Sequence, residues 1–147
     1  EWFLEKATEI GVDSFVALET EHSERRVIKP ERELKVITAA VKQSLKAYHP
    51  TLEDMTDFKT FVTREFDGRK FIAHCGEAIV GKKYLASTLA AGENAVILLG
   101  PEGDLSPEEV RLAGENCVEG ITLGTQRLRT ETAAVMAVAM VAVVNTL

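Results

Sequence analysis

The chain has 147 residues, of which 46% are hydrophobic and 27% are charged. This length and composition are those of one ordinary globular domain, and they argue against disorder, a fibrous protein and a fold built on disulfides. The formal net charge of −6 is opposite in sign to the basic face of a typical nucleic-acid-binding protein, so any such function must depend on local clusters of lysine and arginine.

The sequence does not predict a membrane span, a metal site or secretion. The longest apolar stretch, Ala133–Val144, is twelve residues long, whereas a helix needs roughly 20 residues to cross a bilayer. Cys75 and Cys117 lack the spacing of zinc ligands, and the charged, amphipathic start of the chain is unlike a secretory signal. We therefore expect reduced thiols, no metal and a cytoplasmic protein.

The chain begins with a pattern typical of a helix, a turn and a strand. Apolar residues recur at helical spacing from Trp2 to Ile10. Gly11 follows them where a helix C-cap glycine belongs. The apolar run Phe15–Leu18 then predicts a strand.

A second helix is predicted between two prolines. Its apolar stripe begins after Pro30 and is stopped near Pro50. The stripe consists of Leu34, Ile37, Val41, Leu45 and Tyr48. Further along the chain, Phe71–Ala73 is a short candidate strand.

The next predicted strand is the clearest one. Ala95–Leu99 is apolar without alternation, as expected of a strand that is covered on both faces in a parallel sheet. Ser106 follows as the N-cap of a helix, with Pro107 in its first turn and Glu109 placed to complete a capping box. We expect this helix to end near Gly114.

The last elements are a short strand at Ile121–Leu123 and a helix from Thr130. The helix contains mostly alanine, valine and methionine and is apolar nearly all round, so it should be buried on most sides. The alternation of strands and helices predicts an α/β fold, with a mostly parallel sheet flanked by helices and joined by right-handed crossovers. One domain should span residues 1–147.

Two glycine-containing loops each follow a strand and precede a helix, which is where an open α/β sheet binds its ligand. The first is Gly100–Gly103. By its pattern alone this loop is somewhat more typical of an ordinary strand-to-helix turn. The second lies within Leu123–Ala133, and the repeated arrangement predicts one bipartite pocket. Neither loop has the signature of a phosphate loop or of a dinucleotide-binding turn.

These segments, GPEGDLSPEEV (Gly100–Val110) and LGTQRLRTETA (Leu123–Ala133), resemble the two signature segments of the RsmE family. The members of that family are bacterial 16S ribosomal RNA uracil-N3 methyltransferases of the SPOUT superfamily. The resemblance extends to EWFLEKATEIGVDSF at the start, to SERRVIK (Ser23–Lys29) and to KQS (Lys42–Ser44). It therefore covers nearly the whole chain.

The resemblance implies a SPOUT-type α/β fold with a deep trefoil knot at its C-terminal end. S-adenosylmethionine would bind there in a bent form among three loops, two of which are the segments just named. The third loop should follow the strand that ends near His74 and Cys75. The resemblance also implies a homodimer, a substrate uridine in the 16S ribosomal RNA of the 30S subunit, and a PUA-like RNA-binding domain upstream of these residues.

We assign the candidate site residues on the same basis. The cofactor-binding candidates are Leu99, Gly100, Pro101, Glu102, Gly103, Leu123, Gly124, Arg127, Leu128 and His74. The catalytic candidates are Glu102, Arg129 and Glu131. The RNA-binding candidates are Arg25, Arg26, Lys29, Gln43, Ser44 and Lys46.

Several of these residues have an alternative structural role. Glu131 could stabilise the start of the last helix through the helix dipole, and Arg129 could pair with a buried carboxylate. Gln43 and Ser44 could be a solvent-facing polar pair, and His74 could be a hydrogen-bonded histidine at a strand end. The basic cluster within residues 25–35 is equally compatible with a solvated charged face.

The chain departs from the common family sequence at three places. It has Asp104-Leu105 where the family commonly has Gly-Phe, and Thr125-Gln126 where a proline-arginine pair is common. It has Lys42–Lys46 (KQSLK) where an acidic-Gln-Ser-Gly-Arg pattern is common. These departures affect the expected RNA contacts more than the cofactor pocket.

Two other functions are compatible with the sequence. One is a knotted methyltransferase that acts on another RNA, such as a transfer RNA, or on a ribose 2′-hydroxyl. The other is a module that binds RNA or assists assembly without catalysis. The intact glycine loops and the RTET sequence (Arg129–Thr132) argue against a loss of catalysis.

Overall fold

The computed structural model describes residues 2–21, 29–73, 83–100, 105–124 and 128–146. Helices and strands alternate along most of this length. In chain order the elements are α1 (Trp2–Ile10), β1 (Ser14–Glu19), α2 (Pro30–Gln43), β2 (Thr51–Asp57), α3 (Phe58–Val62), β3 (Arg69–Ala73), β4 (Lys83–Tyr84), α4 (Leu85–Thr88), β5 (Ala95–Leu99), α5 (Pro107–Glu115), β6 (Val118–Thr122) and α6 (Thr130–Thr146).

Every strand pair among the described residues is parallel, which confirms the predicted α/β class. β1 pairs with β2, and the larger sheet has the order β4-β6-β3-β5. β6 therefore lies between β3 and β4, although β3 and β4 are joined by residues 74–82 alone. The path of that connection past β6, on which a knot depends, lies outside the described residues.

The larger sheet is covered on both faces because consecutive side chains of a strand point to opposite sides. Ile72 packs with Phe58, Leu98 and Val110 in one buried cluster, which includes residues of α3 and α5. Its neighbour Phe71 belongs to a second cluster with α4 and α6. Burial on both faces explains why the sequence of β5 is apolar without alternation.

A third buried cluster joins α1, β1 and α2. It contains Leu4, Ala7, Phe15 and Ile37, and all four are at most 9% exposed. Val138 of α6 packs against this cluster, so the cluster links the first part of the chain to the last helix.

Two helix ends predicted from the sequence are confirmed. Gly11 has φ +120° and donates its N–H to the carbonyl of Ala7 at the end of α1, a conformation that glycine adopts at little cost. At the start of α5, the Ser106 hydroxyl accepts from the N–H of Glu109, and the Glu109 carboxylate accepts from the N–H of Ser106. This is the predicted capping box.

The predicted extent of the second helix was wrong. α2 ends at Gln43, and the last two members of its apolar stripe, Leu45 and Tyr48, lie beyond it with exposures of 90% and 87%. Leu45 adopts φ +56°, and the N–H of Lys46 donates to the carbonyl of Val41. These are features of a Schellman ending, which stops the helix before Pro50.

α6 is covered on most sides, as its apolar sequence predicts, because it packs against the second and the third cluster. Its buried residues are Ala134, Ala137, Met140 and Val144, which lie along one face. Met136 and Val143 are 39% and 56% exposed. Only a strip of this apolar helix that includes Met136 and Val143 is therefore exposed.

Candidate active site

The carboxyl ends of three strands meet at one edge of the larger sheet. Ala73, the last residue of β3, is in register with Leu99 of β5 on one side and with Ile121 of β6 on the other. Because the strands are parallel, the chain leaves all three of them at the same edge. The two glycine loops and the segment after β3 therefore all start there, as the sequence predicts for one pocket.

The loop after β5 is fixed at both ends. Leu99 and Gly100 are half-buried at the strand end, and Leu105 is 4% exposed within the cluster that contains Ile72 and Val110. Leu105 is thus an apolar anchor where the family commonly has phenylalanine. The candidates Pro101, Glu102 and Gly103 lie outside the described residues, as does His74 after β3.

The loop after β6 begins with a constrained turn. Gly124 has φ +134°, and a Cβ added to it would meet no atom within 4 Å. Thr122, which the sequence analysis did not single out, donates its hydroxyl to the Gly124 carbonyl and accepts from the Gly124 N–H. Leu123 and Leu128 are half-buried, and Arg127 lies outside the described residues. The backbone at Gly124 is therefore held in place and open to a close approach.

Arg129 and Glu131 stand at the start of α6, next to this loop. The Arg129 carbonyl accepts from the N–H of Ala133 at 2.8 Å, so Arg129 occupies the N-cap position. Its side chain cannot accept a hydrogen bond from the helix, and its positive charge is unfavourable at the positive end of the helix dipole. Glu131, in the first turn, has the favourable charge. The stability of α6 therefore explains why a glutamate is found at position 131, but it does not explain the arginine at position 129.

The predicted RNA-binding residues do not form one cluster. Lys29 is the exposed N-cap of α2, whereas Gln43, Ser44 and Lys46 are at or just beyond its other end. A helix of 14 residues is about 20 Å long, which separates the two groups by that distance. Arg25 and Arg26 lie outside the described residues.

The end of α2 also has a local structural explanation. The Ser44 hydroxyl donates to the carbonyl of Ala40 at 2.6 Å, and Gln43 and Lys46 are exposed. Leu45, at positive φ, occupies the place where the family pattern commonly has glycine. That glycine suits a helix ending, whatever else the segment does.

None of the described helices is long and apolar enough to span a membrane. In the described ranges, no group of three or more histidine, cysteine, aspartate or glutamate side chains is placed to hold a metal ion.

Comparisons with known proteins agree on one family. The family model of the RNA methyltransferase domain matches residues 1–142. Ribosomal RNA small subunit methyltransferase E of Bacillus subtilis is 30% identical, over 96% of this chain and 59% of its own length. The chain thus spans a little over half the length of that relative.

Solved structures give the same result. A structure described as a probable rRNA-methyltransferase from Porphyromonas gingivalis is 40% identical with a TM-score of 0.91, covering 99% of this chain and 61% of that one. The Neisseria gonorrhoeae ribosomal RNA small subunit methyltransferase E bound to S-adenosyl methionine is 26% identical with a TM-score of 0.83. That match covers 94% of this chain and 57% of the other.

Proposed function

This chain belongs to the RsmE family of RNA methyltransferase domains, and we propose that it is the catalytic domain of an S-adenosylmethionine-dependent enzyme that methylates N3 of a uridine in 16S ribosomal RNA. The observation that carries the proposal is the convergence of three parallel strand ends, β3, β5 and β6, at one edge of the sheet. Two of these ends lead into the glycine loops whose sequences resemble the family signatures.

The described residues fit S-adenosylmethionine. At Gly124 the backbone has a positive φ and open space where a side chain would otherwise stand, so a ligand can approach the main chain closely. Leu99 and Gly100 lie at the same edge of the sheet, where β5 ends and the first glycine loop begins. We propose that the backbone groups of both loops hold the cofactor, together with Pro101–Gly103, Arg127, Leu128 and His74.

The bound cofactor supplies a methyl group on a sulfonium, which is transferred by in-line displacement. The protein must therefore align the acceptor with the donor and exclude water. N3 of uridine also has to lose a proton. In this proposal the Arg129 guanidinium stabilises the negative charge that develops on the uracil ring, and Glu102 and Glu131 are the carboxylates available to accept the proton.

The position of Arg129 supports its assignment. An N-cap is normally serine, threonine, aspartate or asparagine, and a cation there works against the helix dipole. A residue that is unfavourable for stability but lies beside the candidate pocket is expected to serve the reaction.

The substrate proposal extends to partners. The 30S subunit presents the uridine, and Lys29, Arg25, Arg26 and the end of α2 are proposed to contact RNA phosphates. Because the proposed substrate is ribosomal, we also propose that the protein acts in the cytoplasm.

We also propose that the protein is a homodimer. The outer face of α6, with Met136 and Val143, and the exposed Trp2 of α1 offer apolar surface for a two-fold interface. Light scattering should give the mass of a dimer at micromolar concentration. A mass that stays monomeric at every concentration would contradict this part of the proposal.

The test has two steps. Calorimetric titration with S-adenosylmethionine should detect binding, which a module that only binds RNA would lack. Mass spectrometry of nucleosides from 16S ribosomal RNA of a deletion strain should then show the loss of a 3-methyluridine. If every 3-methyluridine persists and another methylated nucleoside disappears, the substrate is a different one.

A further inference from the structure

Glu109 is the one charged side chain that is buried in the described part of the chain, with an exposure of 7%. Its two carboxylate oxygens accept from two different backbone groups. Oε1 accepts from the N–H of Ser106 at 2.9 Å, and Oε2 accepts from the N–H of Glu21 at 3.3 Å. The first bond is local, whereas the second reaches back 88 positions along the chain.

The capping box alone does not require this arrangement. Glutamine serves as well as glutamate at the third position of a capping box, because one oxygen is enough to accept from the N-cap N–H. A buried carboxylate is unfavourable unless hydrogen bonds compensate for the loss of water. The second oxygen and its bond to Glu21 therefore give Glu109 a role beyond starting α5.

The two backbone groups that Glu109 holds belong to segments that are far apart in the sequence. Ser106 follows Leu105, the buried residue that ends the proposed cofactor loop. Glu21 follows β1, and from it the chain continues through a sequence with Arg25 and Arg26 to Lys29 at the start of α2. One carboxylate thus fixes the end of the cofactor loop to the beginning of the segment that precedes α2.

We propose that Glu109 is a positioning residue for the RNA substrate: it holds the end of β1 against the start of α5, so that the basic segment leaves from a fixed point beside the cofactor loop. The inference rests on the proposed function, because it takes the edge of the sheet as the methyl-transfer site. Glu109 acts through the backbone of Glu21 and does not touch the cofactor or the uridine.

Glu109→Gln should keep the hydrogen bond to the N–H of Ser106 and lose the one to the N–H of Glu21. An amide has one acceptor oxygen, so the oxygen can keep the bond to Ser106 only if the NH₂ group faces the N–H of Glu21, where two donors oppose each other. The helix start is retained and the link to Glu21 is lost. Glu108→Gln is the matched control, since Glu108 is exposed in the same helical turn and loses the same charge.

Ser106→Ala is the second control. It removes the hydroxyl that caps the N–H of Glu109 but leaves both carboxylate bonds in place. This variant weakens the start of α5 without cutting the link, so it separates a loss of helix stability from a loss of positioning.

The experiment measures kcat and KM for 30S subunits, the Kd for S-adenosylmethionine, and amide hydrogen exchange at Glu21, in the full-length protein. For Glu109→Gln we expect the KM for 30S subunits to rise roughly tenfold, as for the loss of a positioning contact, and the Glu21 amide to exchange faster. The tenfold rise in KM corresponds to about 1.4 kcal/mol of lost RNA binding. The Kd for the cofactor should stay within about twofold of the wild-type value, because Glu109 does not touch the cofactor. Both controls should keep the wild-type KM.

An unchanged KM in Glu109→Gln overturns the inference, and so does a Ser106→Ala variant with the same RNA defect. The inference is also overturned if Glu109→Gln weakens cofactor binding as much as it raises the KM, because Glu109 would then act through the cofactor loop and not through Glu21. Failure of the proposed function is separately visible, since in that case the wild-type protein itself does not methylate 30S subunits.

Discussion

The hydroxyl of Thr122 holds both backbone groups of Gly124: it donates to the Gly124 carbonyl at 2.8 Å and accepts from the Gly124 N–H at 3.3 Å. Gly124 has φ +134° and no neighbouring atom within 4 Å of a Cβ position. The turn is therefore defined by its backbone, and the space beside it is open.

Gly124→Val should abolish S-adenosylmethionine binding, because the side chain fills this space and strains the turn. We expect the Kd measured by calorimetry to rise on the order of 100-fold or more, which corresponds to a loss of about 2.8 kcal/mol of binding free energy. Gly92→Val is the matched control, since Gly92 also has a positive φ (+83°) and open surroundings but lies in the turn before β5. Both variants should lose roughly 1–2 kcal/mol of stability, and only the first should lose the cofactor. Equal affinity in the two variants would remove the pocket assignment.

Arg129→Ser should stabilise the fold and inactivate the enzyme. Serine at the N-cap accepts a hydrogen bond from the helix, and the unfavourable cation is removed, so the free energy of unfolding should rise by about 1 kcal/mol. The kcat should fall on the order of 100-fold or more, as for the loss of a group that stabilises developing charge. Arg111→Ser, at an arginine whose side chain is 74% exposed on α5, controls for the loss of charge. Full activity in Arg129→Ser would limit Arg129 to a structural role.

Leu45→Gly should stabilise the fold. Leu45 adopts φ +56° and is 90% exposed, so glycine relieves the strain of a left-handed backbone and removes little packing. The gain should be roughly 0.5–1 kcal/mol in urea unfolding, after allowance for the greater freedom of glycine in the unfolded chain. Ala47→Gly, at a nearby exposed position without a positive φ, should be neutral or destabilising. A loss of stability in Leu45→Gly would mean that Leu45 makes contacts absent from the single chain.

The carboxylate of Asp57 should make a pH-dependent contribution to the stability of the fold. Its carboxylate caps α3, and the hydrogen bond from the Thr60 hydroxyl, assisted by the backbone N–H groups of Thr60 and Lys59, lowers the pKa of Asp57 below its usual value despite some desolvation. A lowered pKa in the folded state stabilises the fold above the unfolded pKa, and this contribution is lost as the pH falls through the folded value, below about pH 4.

Asp57→Ala should therefore cost about 1 kcal/mol at pH 7, the usual cost of losing an N-cap, and less at pH 3. Urea unfolding at both pH values measures the difference. Asp54→Ala, at an exposed aspartate within β2, should show no such dependence on pH. A difference between wild type and Asp57→Ala that is the same at pH 7 and pH 3 would contradict the assignment.

The sequence was sufficient where an element is defined by its own residues. The capping box of α5 depends on Ser106 and Glu109, which are three positions apart, and β5 is recognisable because five consecutive apolar residues suit a strand covered on both faces. The two signature segments likewise identified the family, since their residues are contiguous.

The sequence did not reveal β2. The strand contains Glu53, Asp54 and Asp57, and none of its residues is fully buried, so its composition is atypical of a strand. It is a strand because it pairs in parallel with β1, from Ser14 opposite Thr51 onward. β4 and α4 were missed because they are short: elements of two and four residues have no periodicity that distinguishes them from a loop.

By itself, then, the sequence determined the family, the alternation of strands and helices, the α5 capping box and the two glycine loops. Only the tertiary structure decided the sheet order, which places β3 between β5 and β6, and the contact between Glu109 and Glu21. It also decided that α2 ends at Gln43, leaving Tyr48 outside a stripe that matched helical spacing. Helical spacing and capping are local, within one or two turns, whereas strand order and the partner of a buried carboxylate depend on which distant segments pack together.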